Sequence, residues 1–401
     1  MDHLYVILQI LFWTGLFIAF YTYLGYGMLL FLLVQIKELF IQPIRLSLTE
    51  PLPEVTLFIA AYNEEAIVHE KMANCLALDY PNDKLKIVWI TDGSNDQTNE
   101  LLKQYPEVTV LFQPQRQGKT AALNRGISFV HTPYVVFTDA NTMLNKKAVT
   151  EIIRLFSDAA VGCVAGEKRV EIQNEQGATA GEGIYWKYES TLKELDYRLY
   201  SAVGAAGELF AIRTNLFEQM PNDTLLDDFI LSLRIAQKGY KIAYAKNAYA
   251  IETASLNMKE EEKRKIRIAA GGLQSIWRLR NLLNIFRYGT LSFQYISHRV
   301  LRWTLTPLLL FLLFPVNLIL AGYGSSFYIF MLLLQIAFYA MGYFGYKMEQ
   351  RQMRNKLLFI PYYFLFMNVN VIKGVFYLAK NKGSGAWEKA KRGYSQKNIL
   401  K

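Results

Sequence analysis

From Leu4 to Ile36 the chain has no Asp, Glu, Lys or Arg. A run of that length exceeds the ~20 residues a helix needs to cross a bilayer. It also lacks the basic start and small-residue cleavage site of a removable signal peptide, so residues 1–36 read as a permanent membrane helix. Cysteine is nearly missing: Cys75 and Cys163 are the only two in 401 residues. Two cysteines without adjacent histidines do not make a zinc site. No G-x-G-x-x-G and no G-x-x-x-x-G-K-[ST] occurs, so the usual phosphate loops of dinucleotide-binding and P-loop proteins are lacking. Repeats and low-complexity tracts are absent too.

Apolar runs return after residue 300. Thr304–Tyr323 and Phe327–Tyr346 are uncharged and of spanning length, and Pro307 and Pro315 are tolerated in membrane helices. The pair lacks the acidic residues that would mark an ion path, which sets aside a transporter. Leu357–Ala379 is apolar but carries Asn368, Asn370 and Lys373; it either spans or lies re-entrant in the interface. Between these ends, residues 50–280 read as a water-soluble domain.

The formal net charge is +10, and its basic residues are placed unevenly. Lys37, Arg45, the loop 347–356, the stretch Lys263–Arg267 and the tail 380–401 are all rich in Lys and Arg. The positive-inside rule puts them on the cytoplasmic side, with the soluble domain cytosolic and the 304–346 pair a hairpin turning outside at Gly322–Ser326. A full last crossing would carry the basic tail outside, so an interfacial or re-entrant segment 357–379 fits the charges better. Beside membrane-scale segments, this excess points to anionic lipid head groups rather than nucleic acid. Both cysteines then fall in a reducing compartment, where a disulfide is not expected. Residues 281–303 mix aromatics with Arg287, Arg299 and Arg302. They read as amphipathic interfacial helices, with Trp303 in the aromatic belt.

Within the soluble domain strand and helix patterns alternate. Strands are expected at 54–62, 86–92, 108–113 and 134–140, and helices at 64–78, 96–105 and 118–130. This is the pattern of an α/β fold with a doubly wound, mostly parallel sheet, in which ligands bind outside the carboxyl ends of the strands. Polar residues gather there: Tyr62-Asn63-Glu64-Glu65, Asp92 to Asp96, Gln115 to Lys119, and Asp139-Ala140-Asn141. Asn63 and Asn95 are each placed to cap the next helix, and Asp96 extends that role. Capping explains any one tip; four polar tips on one edge point to a nucleotide site.

At these residues the sequence resembles the family 2 inverting glycosyltransferases of GT-A fold, in the membrane branch that includes cellulose, hyaluronan and poly-N-acetylglucosamine synthases. The matching pieces are AAYNEE (60–65), TDGSNDQT (91–98), GKTAALNRG (118–126), TDAN (138–141), GELFAIRTNLF (207–217), LLDDFILSLRIAQKGY (225–240) and KRKIRIAAGG (263–272). They follow the family's order and spacing. The resemblance implies that Ala60, Tyr62 and Glu64 contact the nucleoside, that Asp92 holds the uracil or ribose, and that Lys119 lies beside the base and diphosphate. Asp139 and Asn141 resemble the D-x-D motif that binds the sugar nucleotide and a Mg²⁺ or Mn²⁺ ion; hard cations take oxygen ligands, often only one or two from protein. Asn141 stands where the family has a second Asp and brings no charge. The alternative for it is a turn residue making an Asx hydrogen bond.

Asp227-Asp228 resembles the family's acidic pair, whose second member is the catalytic base. Both acids also suit the start of a helix. Aligned on Ala-Gly-Gly, Arg264, Arg267 and Ile268 fall at the Gln, Arg and Trp of the synthases' Q-x-x-R-W. Arg267 keeps the fork of donors for a departing diphosphate. Ile268 loses the aromatic platform under the acceptor, for which Tyr185, Trp186 or Tyr188 could substitute. Gly204 and Gly207 would let backbone come close to an acceptor sugar.

The resemblance therefore implies an inverting, metal-dependent transferase in the plasma (inner) membrane. It would move sugar from a UDP-sugar, of UDP-GlcNAc or UDP-Glc type, to a growing β-linked polysaccharide. The losses at Ile268 and Asn141 favour the alternative of single transfer to a lipid acceptor, a polyprenyl phosphate or diacylglycerol. A polymer channel from so few spans would call for a homo-oligomer or an accessory export partner. A non-catalytic membrane partner protein is the minor alternative.

Overall fold

A computed structural model describes residues 3–42, 46–48, 50–171, 178–253, 255, 257–351, 353 and 355–380. Arg45 and residues 381–401 of the basic tail lie outside the described residues, and so does the Tyr185 side chain. The soluble domain is built on one eight-stranded sheet: β1 Val55–Ala61, β2 Leu85–Asp92, β3 Val108–Gln113, β4 Tyr134–Asp139, β5 Thr142–Leu144, β6 Val161–Glu171, β7 Leu209–Arg213 and β8 Lys241–Thr253. The strand order is β3-β2-β1-β4-β7-β6-β8-β5. β3, β2, β1 and β4 run parallel. β7 enters antiparallel to β4 and β6, β6 and β8 pair parallel, and β5 closes the far edge antiparallel to β8. The expected α/β sheet is thus present, mixed beyond β4.

Its strands are apolar on both faces because both are covered. Leu57, Ile59, Trp89 and Val136 fill one side, and Phe58, Ile90, Val135 and Phe137 the other. Cys75 and Cys163 are free and buried, one in each of these two clusters. Register matters for function: Ala60 of β1 stands beside Asp139 of β4 on one flank and Ile90 of β2 on the other. The parallel strands therefore end together and their following loops share one edge.

The first apolar run is longer than a membrane crossing. His3–Phe40 is one helix of 38 residues, about 57 Å at 1.5 Å per residue, against a hydrocarbon core of ~30 Å. A π-helical turn, Tyr21–Gly25, divides it. Before that turn, Leu8 and Phe12 pack with Leu313, Val316 and Leu320 of the helix Leu305–Gly322. After it, Tyr26, Leu30 and Val34 pack with Leu192 and Leu195 of the soluble domain's helix Ala178–Leu199. Within the turn, Tyr21 Oη and Ser297 Oγ hydrogen-bond at 2.8 Å, joining it to a second π-helical turn, Ile296–Val300.

Among the described residues, four helices are long and apolar enough to cross a membrane: His3–Phe40, Leu305–Gly322, Ser326–Gln350 and Leu357–Lys380. The last belongs to one unbroken helix, Lys356–Lys380, not a re-entrant turn. It lies along the helix Met258–Arg278: Tyr363 Oη donates to Glu261 Oε1 at 3.5 Å, Lys373 pairs with Glu262, and a Cβ on Gly374 would come within 2.7 Å of Ala269.

Several basic residues expected to face lipid are used inside the protein. Lys37 donates to the carbonyls of Arg198 and Leu199 at 2.7 and 2.8 Å, at the end of their helix. Lys265 is buried against Glu261, and Arg299 and Arg302 are buried against Glu189. Trp303 leaves the expected aromatic belt, because Gly272 opens a seat for its ring (a Cβ there would meet the indole at 2.5 Å). It packs edge-on to Phe229 at 5.2 Å.

Candidate active site

The loops at the carboxyl ends of the strands enclose a cavity of about 1440 Å³ that runs from the sheet edge to the long apolar helices. Two of its rims are fixed by side chains expected to cap helices. Asn63, at φ +52°, donates through Nδ2 to Asn95 Oδ1 at 2.8 Å and accepts from Asn95 N at 3.0 Å. The two asparagines thus staple the loops after β1 and β2 together instead of capping. Asp96 keeps the capping part, accepting from Thr98 N at 3.0 Å and from Glu65 N at 3.1 Å.

Asp92, at the end of β2, is buried. Its Oδ2 accepts from Gln117 N at 2.9 Å and Gly118 N at 2.7 Å, which ties the loop after β3 to the cavity. Its buried Oδ1 has no hydrogen-bond partner among the described residues, leaving an acceptor for a bound donor. Arg116 from the same loop lies 3.8 Å over the Tyr62 ring. Ala60, Tyr62, Glu64, Asp92, Arg116 and Lys119 all line this end.

Lys119 opens the helix Lys119–Gly126 and gathers the acids. Its Nζ is 2.8 Å from Asp139 Oδ1 and 3.8 Å from Asp227 Oδ2. Burial alone would lower this ammonium's pKa, but Asp139, Asp227 and Asp228 outweigh it and hold the pKa above its usual range. Asp227 and Asp228 form the first turn of the helix Asp227–Gln237. Phe229 N donates to Asp228 Oδ1 at 2.8 Å, fixing the carboxylate. A Cβ on Gly207 would lie 3.4 Å from Asp228 Oδ2 and 3.1 Å from Lys119 Nζ, so this glycine borders both groups. Burial, then the Asp227 charge, pushes Asp228 up to about 7, against the opposing pull of Lys119. A carboxyl group with that pKa can take and release a proton near neutral pH.

Opposite stand Arg264, Arg267 and Ile268, from one helix face lining the cavity. Burial pulls Arg267 below its usual range, opposed by Asp227, Asp139 and Asp228. Arg264 Nη1 lies 3.2 Å from Glu261 Oε2. Trp186 and Tyr188 also line the cavity; Gly204 does not. At φ +86° its α-carbon faces the Phe229 ring, and a Cβ would fall 2.3 Å from Cδ2. Gly204→Ala should therefore destabilise by roughly 2–4 kcal/mol, backbone strain plus overpacking. Gly239→Ala, at φ +95° with open space around it, should lose only about 1–2 kcal/mol to strain. Unfolding midpoints of the two variants read the difference.

Residues 53–271 match the family described as "Glycosyltransferase like family 2", more than half of the chain. The chain belongs to that family. Poly-beta-1,6-N-acetyl-D-glucosamine synthase of Staphylococcus aureus (strain COL) is 27% identical over 241 residues, covering 57% of each chain. Probable glycosyltransferase YdaM of Bacillus subtilis (strain 168) is 26% identical over 243 residues, covering 55% of each. The match thus spans little more than half the length of these curated relatives. The mannosyltransferase PcManGT from Pyrobaculum calidifontis, solved with GDP-Man and Mn²⁺, superposes with a TM-score of 0.70 at 20% identity. That likeness covers 93% of this chain and 100% of that one, so the shared fold includes the flanking helices.

In this family 2 glycosyltransferase, no group of three or more His, Cys, Asp or Glu among the described residues could hold a metal ion by itself. One carboxylate, Asp139, and one amide, Asn141, line the cavity together. That donor set fits Mg²⁺ or Mn²⁺ held mainly by substrate phosphates and water. Among the cavity's cations without a site role from the sequence are Arg116, Lys193, Arg299 and Arg302. Arg116 carried the same signal as Lys119, a cation in the loop after β3. The other three come from segments distant in sequence and had no local signal.

Proposed function

We propose that this chain is an inverting transferase that moves a hexosyl or N-acetylhexosaminyl group from a UDP-sugar to an acceptor hydroxyl held at the cytoplasmic face of the plasma membrane. One observation carries it: Lys119, Asp139, Asp227 and Asp228 converge around Gly207 in a cavity shared by nucleotide-side loops and membrane helices. Ala60, Tyr62, Glu64 and the free Oδ1 of Asp92 would receive the nucleoside. Asp139 and Asn141 would hold a Mg²⁺ or Mn²⁺ ion, which when bound neutralises diphosphate charge.

The acceptor oxygen attacks the anomeric carbon from the face opposite the diphosphate, and Asp228 Oδ2 takes its proton. The bond from that carbon to the diphosphate breaks, and UDP leaves with the electron pair. Lys119, Arg264 and Arg267 compensate the departing charge. A single displacement turns an α-linked donor into a β-linked product.

Two acceptors fit this chemistry. The synthase among the relatives supports a growing β-linked polysaccharide, whose export would call for a homo-oligomer or accessory partner. The cavity's membrane end, lined by Leu16, Phe20, Leu24, Ile360, Phe364 and Met367, supports the lipid-linked acceptor instead. Apolar side chains give a sugar hydroxyl nothing to bond and give a lipid chain what it needs. We favour the lipid-linked acceptor.

The test is UDP release by detergent-purified protein given a panel of UDP-sugars with Mn²⁺ or Mg²⁺, with a chelator control. Release from one donor, stopped by the chelator, supports the reading. Protein that binds no UDP at all sinks it.

The base also makes the reaction pH-dependent. Asp228 works deprotonated, so kcat/KM should fall about tenfold per pH unit below its pKa of about 7. Since the Asp227 charge raises that pKa, Asp227→Asn should move this acid limb to lower pH. A limb that stays in place or moves up would remove Asp228 as its source.

A further inference from the structure

Lys193 is 95% buried by its 5% exposure and lines the cavity. Among the described residues its ammonium has no hydrogen-bond or ion-pair partner. It lies on the helix Ala178–Leu199, between the catalytic carboxylates and a second cationic pair. Arg299 and Arg302, from the π-helical turn and the helix after it, line the same wall. Glu189, one turn before Lys193, pairs with both arginines. Three cations thus gather on this wall, and Glu189 meets the two arginines. Burial, then Arg299, lowers Lys193, and Glu189, Glu208 and Asp228 oppose this, so all of these charges are close enough to act on it.

A buried ammonium that touches no carboxylate directly is expensive to keep. It is explained if an anion completes it. The nucleotide's diphosphate has its own cations at Lys119, Arg264 and Arg267. Next to the second cluster the cavity turns apolar and outward: Leu16, Phe20 and Leu24, at one helix spacing, are 36%, 49% and 58% exposed. We infer that this lobe binds the acceptor as an anionic lipid, its phosphate on Lys193, Arg299 and Arg302, its chain along Leu16, Phe20 and Leu24, and its hydroxyl toward Asp228.

This inference rests on the transferase reading and names its acceptor class. The reacting group is a hydroxyl beyond the phosphate rather than the phosphate itself. A phosphate oxygen is already ionised at neutral pH and has no use for a base, whereas the carboxylates here are arranged to supply one. Charge complementarity selects the head group, and the exposed apolar face selects a membrane-borne chain over a soluble phosphate.

The test measures lipid binding without donor, so it reads separately from transfer. Full-length protein in nanodiscs of phosphatidylcholine would be titrated with phosphatidylglycerol, which has a phosphate and free hydroxyls, with diacylglycerol, and with soluble glycerol phosphate. Intrinsic tryptophan fluorescence would report occupancy, since Trp186 and Trp303 line the cavity.

Phosphatidylglycerol should bind at least tenfold tighter than either control. Lys193→Gln should weaken it about tenfold or more, the loss of a charge-assisted bond. Leu24→Trp, at an exposed position that leaves the core alone, should weaken it by obstructing the groove. UDP affinity should stay unchanged in both variants. Equal binding of diacylglycerol would remove the phosphate site, and equal binding of glycerol phosphate would remove the lipid groove. Loss of UDP binding in Lys193→Gln would move that cation to the donor side and overturn the inference. Lipid binding as inferred, with no UDP release from any donor, would leave the site standing and refute the transferase reading instead.

Discussion

Asp228→Asn should lower kcat by about 10²–10⁴-fold, the contribution of a positioned general base, while leaving UDP affinity within a few-fold. The separation follows from position. Asp228 is at a helix start against Gly207, whereas the proposed nucleoside end is formed by Ala60, Tyr62 and Asp92 at the tips of β1 and β2. An amide keeps the shape of the side chain and its Oδ1 contact with Phe229 N, so the fold should persist. What disappears is the proton acceptor and one of three negative charges around Lys119. Initial rates of UDP release and equilibrium UDP binding on the same preparation check both halves. A variant that keeps more than a tenth of wild-type turnover would move the base elsewhere, Asp227 being the nearest candidate. A variant that loses UDP binding equally would make Asp228 a donor contact.

The carboxylate edge of the sheet was legible because it depends on local pattern. Apolar runs ending in Asp92 and Asp139 read as buried strands, and parallel pairing then had to bring their tips to one edge. The role proposed for Asp228 rests on the family resemblance, because a helix start by itself suits two acids without any chemistry. What the pattern could not supply was partner choice. Asn63 and Asn95 have the side chains of caps, yet they bond each other across two loops, a contact that exists only after β1 and β2 pair.

The apolar run at the start of the chain shows the same limit from another side. Tyr26, Leu30 and Val34 recur every four residues, and that stripe is equally apolar whether it meets lipid or protein. Its use against Leu192 and Leu195 required knowing where the helix Ala178–Leu199 would lie. Helix length gave a hint, since about 57 Å is too much for one bilayer core. Basic residues misled for a related reason. A cation next to an apolar segment reads as a lipid contact unless its counterion is in view, and Arg302 meets Glu189 across 113 residues of sequence.

Glu189→Gln should be the most damaging single substitution for stability outside the sheet, by about 3–5 kcal/mol at neutral pH. Glu189 is 1% exposed and lies against Arg299, against Arg302 Nη1 at 3.0 Å and against His298 Nε2 at 3.3 Å. Burial alone would raise its carboxyl, but Arg299, His298 and Arg302 reverse this and hold it well below the usual range. The glutamine removes the negative charge that both arginines contact and leaves them buried. Because the folded-state pKa is depressed, this stabilisation is fully present above the unfolded value near ~4.3 and is lost as pH falls toward the folded one. The difference between wild type and variant should therefore shrink in acid. A second replacement, Arg302→Met, should return part of the loss, since it withdraws a buried positive charge that no longer meets the Glu189 carboxylate. The measurement is the unfolding midpoint of the full chain in detergent for the two single variants and the double. A Glu189→Gln protein as stable as wild type would mean that solvent in the cavity already screens the arginines, and the Glu189 pairs would then add little to the joint between the sheet domain and the long apolar helices.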